Sequence, residues 1–428
     1  MLTMLLPIAV LLFVLGACVG SQVNRGIYRL AWHTRPIGPW SLPHEQAPPR
    51  RWYDRIPIFS WWWLRRESSL HGAAYWLRPM LIELSMAAGF VALYAYEVVE
   101  AQAFVFPSRI DFVPDLFTLQ TQYATHLVLI SLMVVATFID FDEQTIPDAI
   151  TIPGTLLGLL LLAALPQARP FVTVPAINRH GWTVDHVHLT SPTLPNQDWP
   201  SWLDGPFGLT LGFACLLGWW LAVLPWFWTS RRGWIKGLQY LIASGRRGIN
   251  GIMVTLLAVG AGTAGIAWFL GGDHWESLLS ALVGVAAGGG MIWAVRILAG
   301  RALGQEAMGF GDVTLMAMIG AFTGWQATLI VFFLAPFAAL FIAGAQWLLT
   351  RRKDIAFGPY LCLAALVSIV QWGAIWEPRA RSIFSLGWWV PGIFACGLCL
   401  MWGMLTLLRF VRELGEPEIE SQRADNRR

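Results

Sequence analysis

Charge is scarce in this chain. Of 428 residues, 13% are Asp, Glu, Lys or Arg and 56% are hydrophobic. A soluble domain carries about a quarter charged residues, so a soluble globular protein is excluded. The regular short alternation of a transmembrane barrel is also missing. Cysteine is sparse. Cys18, Cys215, Cys362, Cys396 and Cys399 are scattered through apolar segments, which excludes a disulfide framework and a paired zinc signature. Cys396 and Cys399 form a CxxC only in spelling, since they lie in an apolar run where cysteine acts as a small hydrophobe. No Lys or Arg precedes the first apolar run, MLTMLLPIAVLLFVLGACVG. A secretory signal carries positive charge there, so this run reads as an uncleaved first helix, despite the lipoprotein-like spelling LGAC.

What remains is a succession of apolar segments near 2–19, 80–104, 124–140, 150–166, 207–228, 251–271, 277–299, 313–324, 326–349, 357–375 and 387–408. A spanning helix needs about 20 such residues. The expected fold is therefore an all-α polytopic membrane protein of about eleven transmembrane helices. Placing the N-terminus outside and alternating puts 24 of the 29 Lys and Arg on the inner side and 5 outside, the asymmetry that membrane insertion favours. The 21–79 loop and the C-terminus then face the cytoplasm, and 167–206 faces out.

The inner loop contains RWYDRIPIFSWWWLRRE, arginines interleaved with aromatics. A nucleic-acid surface can have this composition, but beside a membrane helix it fits the lipid headgroup layer. The lipid bilayer is the expected partner, and nucleic acid is not. The outer loop holds NRHGWTVDHVHLTSP. His180, Asp185, His186 and His188 have ligand chemistry, yet no cysteine or second acidic cluster completes a site. The expectation is a polar surface loop and no metal. The tail EPEIESQRADNRR reads as solvated.

Ionisable side chains at membrane depth are expensive and point to function. Two stretches qualify: FIDFDEQTIPDAITIPG, residues 138–154, and MGFGDVTLMAMIGAFTGW, residues 308–325. The helix count places both at the inner face. Asp140 closes a helix and Asp312 opens one. Helix dipoles then favour an ionised Asp312 and a protonated Asp140. Asp148 follows Pro147, which suits a helix start, so capping is its expected role, and Asp142 falls in the turn between. Gly309 and Gly311 remove bulk around Phe310 and admit a close backbone. They are not a phosphate loop, because no Lys-Ser/Thr follows. Two facing carboxylates in a dry site share a proton and can activate water. A proton-coupled transporter would use the same acids.

The blocks IDFDEQTIPDAITIP and MGFGDVTLMAMIGAFTGW resemble the two signature blocks of the type IV prepilin peptidases, membrane aspartyl proteases of the GxGD type. GSQVNRGIYRL, DRIPIFSWWWL, LRPMLIEL and AFGPYLCLAAL are similar to further family segments. The resemblance implies that Asp140 and Asp312 are the catalytic pair, with Asp142, Pro147, Asp148, Gly309 and Gly311 supporting the motifs. It implies cleavage of the leader from type IV prepilins, or from pseudopilins of type II secretion, at the cytoplasmic face of a bacterial inner membrane. Proteolysis of this kind needs no cofactor. Many members also N-methylate the new terminus with S-adenosylmethionine, and Glu83 matches the family's loop-associated glutamate.

The chain departs from that pattern in three places. The family's loop often carries two zinc-binding CxxC pairs, but no cysteine lies between residues 19 and 214 here; Ser68 and His71 stand near the second pair, and Arg66 replaces a common glycine. Zinc is not expected, and methylation stays open. Residues 167–276 are longer than usual, as an outer loop and an inserted helix pair. A further helix at 387–408 places the C-terminus inside. The expected parts are 1–79, the first helix and Arg/Trp-rich loop; 80–166, helices with the first aspartate motif; 167–276, the insertion; 277–375, helices with the GxGD motif; and 376–428, the extra helix and tail.

Overall fold

The computed structural model describes residues 2–35, 37–100, 114–175, 182–192, 199–224, 249–304, 308–350, 356–387 and 389–425. The expected basic clusters at 229–250 and 351–353, and Arg109, Arg179 and His180, lie outside these residues, apart from the first two positions of the next helix.

Among the described residues, ten long helices carry the fold: α1 (Leu2–Leu30), α2 (Leu77–Tyr94), α3 (Leu116–Glu143), α4 (Asp148–Ala164), α5 (Pro206–Val223), α6 (Ile249–Leu270), α7 (Gly272–Leu303), α8 (Phe310–Thr350), α9 (Gly358–Val370) and α10 (Trp389–Asp425). Each predicted apolar segment falls on one of them, at least in part. The expected boundary between 324 and 326 is a break inside α8, where Gly324 adopts φ 77°, a conformation glycine takes without penalty. Among the described residues, seven helices are long and apolar enough to cross a membrane, or eight if the bent pair Gly358–Val370 and Trp372–Phe384 counts as one span. The figure is lower than eleven for two physical reasons. Asp148–Ala164 and Val254–Leu270 are short apolar helices, and the two predicted segments within α8 run together.

Local chemistry sets the helix ends. Asp115 caps α3 by accepting from the Thr118 backbone N–H at 3.3 Å, the usual service of an N-cap side chain. Gln144, left-handed at φ 55°, closes α3 and donates its N–H to the Asp140 carbonyl. Pro147 is extended and precedes α4, and Pro206 occupies the first turn of α5.

The core forms where α4, α7 and α8 meet. α7 and α8 approach backbone to backbone: a methyl added at Gly284 would overlap the Gly320 carbonyl oxygen, and one at Gly288 the Met316 carbonyl oxygen. Small residues at four-residue spacing give membrane helices this close approach. Against the other side of α8 lies α4, with Gly154 under Met318 and Gly158 under Phe322. Thr151 of α4 donates to Thr314 of α8 at 3.0 Å.

The outer loop is a structured unit, not the polar surface loop that its composition suggested. β1 (Phe171–Pro175) and β2 (Trp182–His186) pair antiparallel, with Phe171 opposite His186. Buried Val172 and Val187 join a cluster with Trp372, Trp376 and Phe384. Phe171, Val172 and Thr173 are buried in succession, so β1 is covered on both faces.

Candidate active site

Asp140 and Asp312 are brought together. Asp140 lies in the last turn of α3 and Asp312 in the first turn of α8. Their exposures are only 4% and 8%, and the two carboxylates are close enough to interact electrostatically. α9 completes the junction. Its first residue, Gly358, donates its N–H to the Asp140 carboxylate at 3.0 Å, and a methyl there would lie 2.5 Å from Asp140 Oδ2. The Gly309 backbone N–H approaches Asp312 from the loop before α8. Neither aspartate has a cationic partner among the described residues. Helix dipoles therefore do not separate the two, as the sequence suggested. Asp140 closes one helix but faces the start of another, a tertiary contact invisible in the local sequence.

The supporting residues divide. Ile146, in the turn after Asp140, fills the space between Gly311 and Gly358. A methyl at Gly311 would stand 2.8 Å from Ile146 Cβ. Gly309, in contrast, has only Asp312 Oδ2 and Gly311 N nearby, each at 3.9 Å. The two glycines were expected to act alike, but only Gly311 is required by packing. Asp142 is not merely solvated: Arg78 grips both of its oxygens at 2.8 and 2.9 Å and stacks over Phe138. Pro147 and Asp148 open α4, and Asp148 is an exposed first-turn acid. Cys362, one turn into α9, is buried beside both aspartates. Its apolar setting in the sequence gave no hint of this position.

Glu83 lies away from the pair. It is buried in α2 and accepts from the Ile58 N–H, from Trp61 Nε1 at 2.8 Å and from Asn24 Nδ2 at 3.1 Å. It thereby ties the inner loop to α1 and α2. A cavity of about 330 Å³ opens above it, lined by Asn24, Arg25, Arg29, Arg35 and Trp40 among others. The loop has a core of its own. Trp61 and Leu64 are buried, whereas Trp32, Trp52 and Trp63 project outward. Two carboxylates are sealed inside it: Asp54 pairs with Arg66 at 2.6 Å, and Glu67 is gripped by Arg50 and approached by His71 at 3.8 Å. Ser68 lies beside this cluster, and its hydroxyl donates to the Arg65 carbonyl.

The outer histidines do not converge. The His186 ring packs on Phe171, and His188 lies against Trp199 and Thr190. Burial pushes both imidazoles down to about 4, with the charge of Arg169 adding to the effect. Among the described residues no three His, Cys, Asp or Glu side chains cluster as metal ligands; His180 lies outside them.

Fold and site define a class: a polytopic helical membrane protein with two buried, facing aspartates where three helix ends meet. The model of the type IV leader peptidase family matches residues 249–344, and that of the bacterial peptidase A24 N-terminal domain matches residues 14–97. The chain is thus similar to the type IV leader peptidase family over these two stretches. A prepilin leader peptidase/N-methyltransferase of Myxococcus xanthus is 30% identical over 255 residues, covering 56% of this chain and 65% of that relative. Proteins of the same name from Aeromonas hydrophila and Escherichia coli strain K12 are 37% and 34% identical over 100 and 94 residues, covering 34% and 42% of their lengths. The chain thus spans less than two thirds of the length of these relatives in each match. No solved structure matches.

Proposed function

We propose that this protein is a membrane aspartyl endopeptidase that removes the leader from type IV prepilins, or from pseudopilins of type II secretion, at the cytoplasmic face of a bacterial inner membrane. The observation that carries this reading is the buried pair Asp140 and Asp312, facing each other without cationic partners, in a chain similar to the type IV leader peptidase family. Two carboxylates so placed resist double ionisation, so the dyad holds one shared proton. The ionised member takes a proton from water as it attacks the scissile carbonyl. The protonated member hydrogen-bonds the carbonyl oxygen and then delivers a proton to the leaving amine. With a backbone N–H on each side, the proton belongs to the dyad and not to one residue. No metal or cofactor enters these steps.

In this reading the N-terminus lies outside, and the inner loop, both aspartates and the C-terminus lie on the cytoplasmic side. We keep the five-part division but end the added portion before residue 249, where the family match resumes, so the hairpin and α5 are added and α6 belongs to the shared part. Methylation is proposed as the second activity. Its support is the word N-methyltransferase in the relatives' names and the cavity over Glu83. Arg25, Arg29 and Arg35 would meet a carboxylate there, with Asn24 and Glu83 on the acceptor side, a set that suits S-adenosylmethionine.

Co-expression with a type IV prepilin tests the peptidase. Wild type is expected to shift the prepilin to its shorter form on a gel, and Asp140→Asn and Asp312→Asn are expected not to. Intact processing by both variants would remove the reading, and loss of proton-coupled uptake instead would favour a transporter. Transfer of label from S-adenosylmethionine to the cut product tests methylation separately.

A further inference from the structure

The largest of the cavities described is separate from the Glu83 cavity. It is about 720 Å³ and runs between α2, α3 and α9. Its walls are almost wholly apolar, with Leu81, Ile82 and Leu93 from α2, Ile130 and Val134 from α3, and Leu366 from α9. From Arg78 at one end to Tyr96 at the other, it extends for roughly 27 Å at the helical rise. That nearly matches the ~30 Å of the hydrocarbon layer.

Three features distinguish this groove from an ordinary lipid-facing surface. First, α2 presents Ser85, Gly89 and Ala92 along its open wall, all exposed, and a side chain added at Gly89 would meet nothing within 4 Å. Small residues at this spacing let another helix backbone come close, a requirement that fluid acyl chains do not impose. Second, one end of the groove is formed by Phe138 and Arg78, and Arg78 is fixed there by Asp142. Asp140 lies between Phe138 and Asp142 in sequence. Third, the groove is bounded by α3 and α9, the two helices that Asp140 and Gly358 join at that same end. The apolar channel therefore leads along the bilayer to the carboxylate pair.

We propose that this groove is the docking site for the apolar membrane helix of the substrate. The helix lies along α2 with its cytoplasmic end beside Arg78, and the peptide bond just beyond that end reaches Asp140 and Asp312. This rests on the peptidase reading and adds to it where the substrate's membrane segment sits. It also supplies a reason for selectivity: the enzyme measures the distance from the end of a membrane helix to the bond that it cuts.

A photo-crosslinking residue placed at Ser85 is expected to capture a co-expressed type IV prepilin, while the same residue at Ile393 on exposed α10 is not. Capture of phospholipid alone at Ser85 would overturn the proposal. Gly89→Leu narrows the groove without a clash. Its kcat/KM for the membrane-embedded prepilin is expected to fall about tenfold more than for a soluble peptide covering only the leader junction. Equal effects on both substrates would overturn docking in this groove. A wild type that cuts neither substrate removes the peptidase reading, and the Ser85 crosslink alone then decides the docking site.

Discussion

Of the six carboxylates buried among the described residues, two pairs are sealed in contrasting ways. In the inner loop, Asp54 and Glu67 are 0% and 1% exposed, and each is matched by an arginine, Arg66 and Arg50. Where α3, α8 and α9 meet, Asp140 and Asp312 are also buried, but they have backbone N–H partners and each other. Burying a charge costs several kcal/mol unless it is paired. The loop meets this cost with fixed counter-charges, so its acids are paired in place and hold the fold. The helix junction leaves the cost partly uncompensated, so its acids can exchange a proton. One pair is structural because it is neutralised, and the other can do chemistry because it is not.

The sharpest break of this contrast is at the unpaired acids. Asp140→Asn or Asp312→Asn is expected to lower leader cleavage by about 10³-fold or more, since general acid–base help alone is worth about 10²–10⁴. Hydrogen exchange of the helices should change little. A variant that stays active, or one that unfolds, would erase the distinction.

Next comes the packing that holds the acids together. Gly311→Ala must displace Ile146, whose Cβ would stand 2.8 Å away, and overpacking of this kind costs about 1–3 kcal/mol. Cleavage should fall by about tenfold or more, whereas Gly309→Ala should retain most of it. Equal losses in the two variants would mean that backbone freedom, not contact with Ile146, explains the glycines.

The neutralised acids should respond through stability. Glu67→Ala leaves Arg50 buried without its partner, a change that costs about 3–5 kcal/mol. Limited proteolysis of residues 31–76 should accelerate accordingly. Replacing both partners, Arg50→Met with Glu67→Leu, should restore much of the resistance, because no lone charge remains. A double variant weaker than the single would show that the pair contributes more than mutual neutralisation.

The smallest effect is expected on the outer side, where the buried groups are bases. His186 and His188 are held neutral, with pKa values lowered to about 4 from 6.5. The unfolded chain binds more protons between those values, so the hairpin is fully stable above about pH 6.5 and loses stability as pH falls towards about 4. Hydrogen exchange of residues 171–175 and 182–192 should quicken over that window, and a flat profile would contradict the burial of these rings.

Much of the architecture was legible because bilayer physics is strict: an apolar run of sufficient length has few folds open to it. The break at Gly324 was visible as the gap between two apolar segments. The two aspartates stood out because carboxylates are rare in such surroundings. What could not be read was anything that depends on residues distant in sequence. Gly358 lies 218 positions from Asp140, and its N–H removed the dipole argument that had set the aspartates apart. The hairpin was hidden because what covers it is distant in sequence: Trp372, which donates to the Phe171 carbonyl, lies 201 positions away. In the loop, the arginines suggested a uniform lipid-facing surface, yet Arg50 and Arg66 turn inward to Glu67 and Asp54. Composition cannot tell an outward cation from an inward one.

The glycine crossing of α7 and α8 has a mechanical consequence. Because the backbones touch at Gly284 and Gly320 and again at Gly288 and Met316, α8 cannot slide or roll against α7 without collision. Asp312 is thereby set at a fixed height, like a stop on a rail. α9 packs against both α8 and α3, with Leu361 and Ala365 in one core with Leu129 and Met133, so the wall that carries Asp140 is tied to the same fixed frame. Both aspartates are thus held by one packed frame, and the open groove runs along its α2 and α3 side.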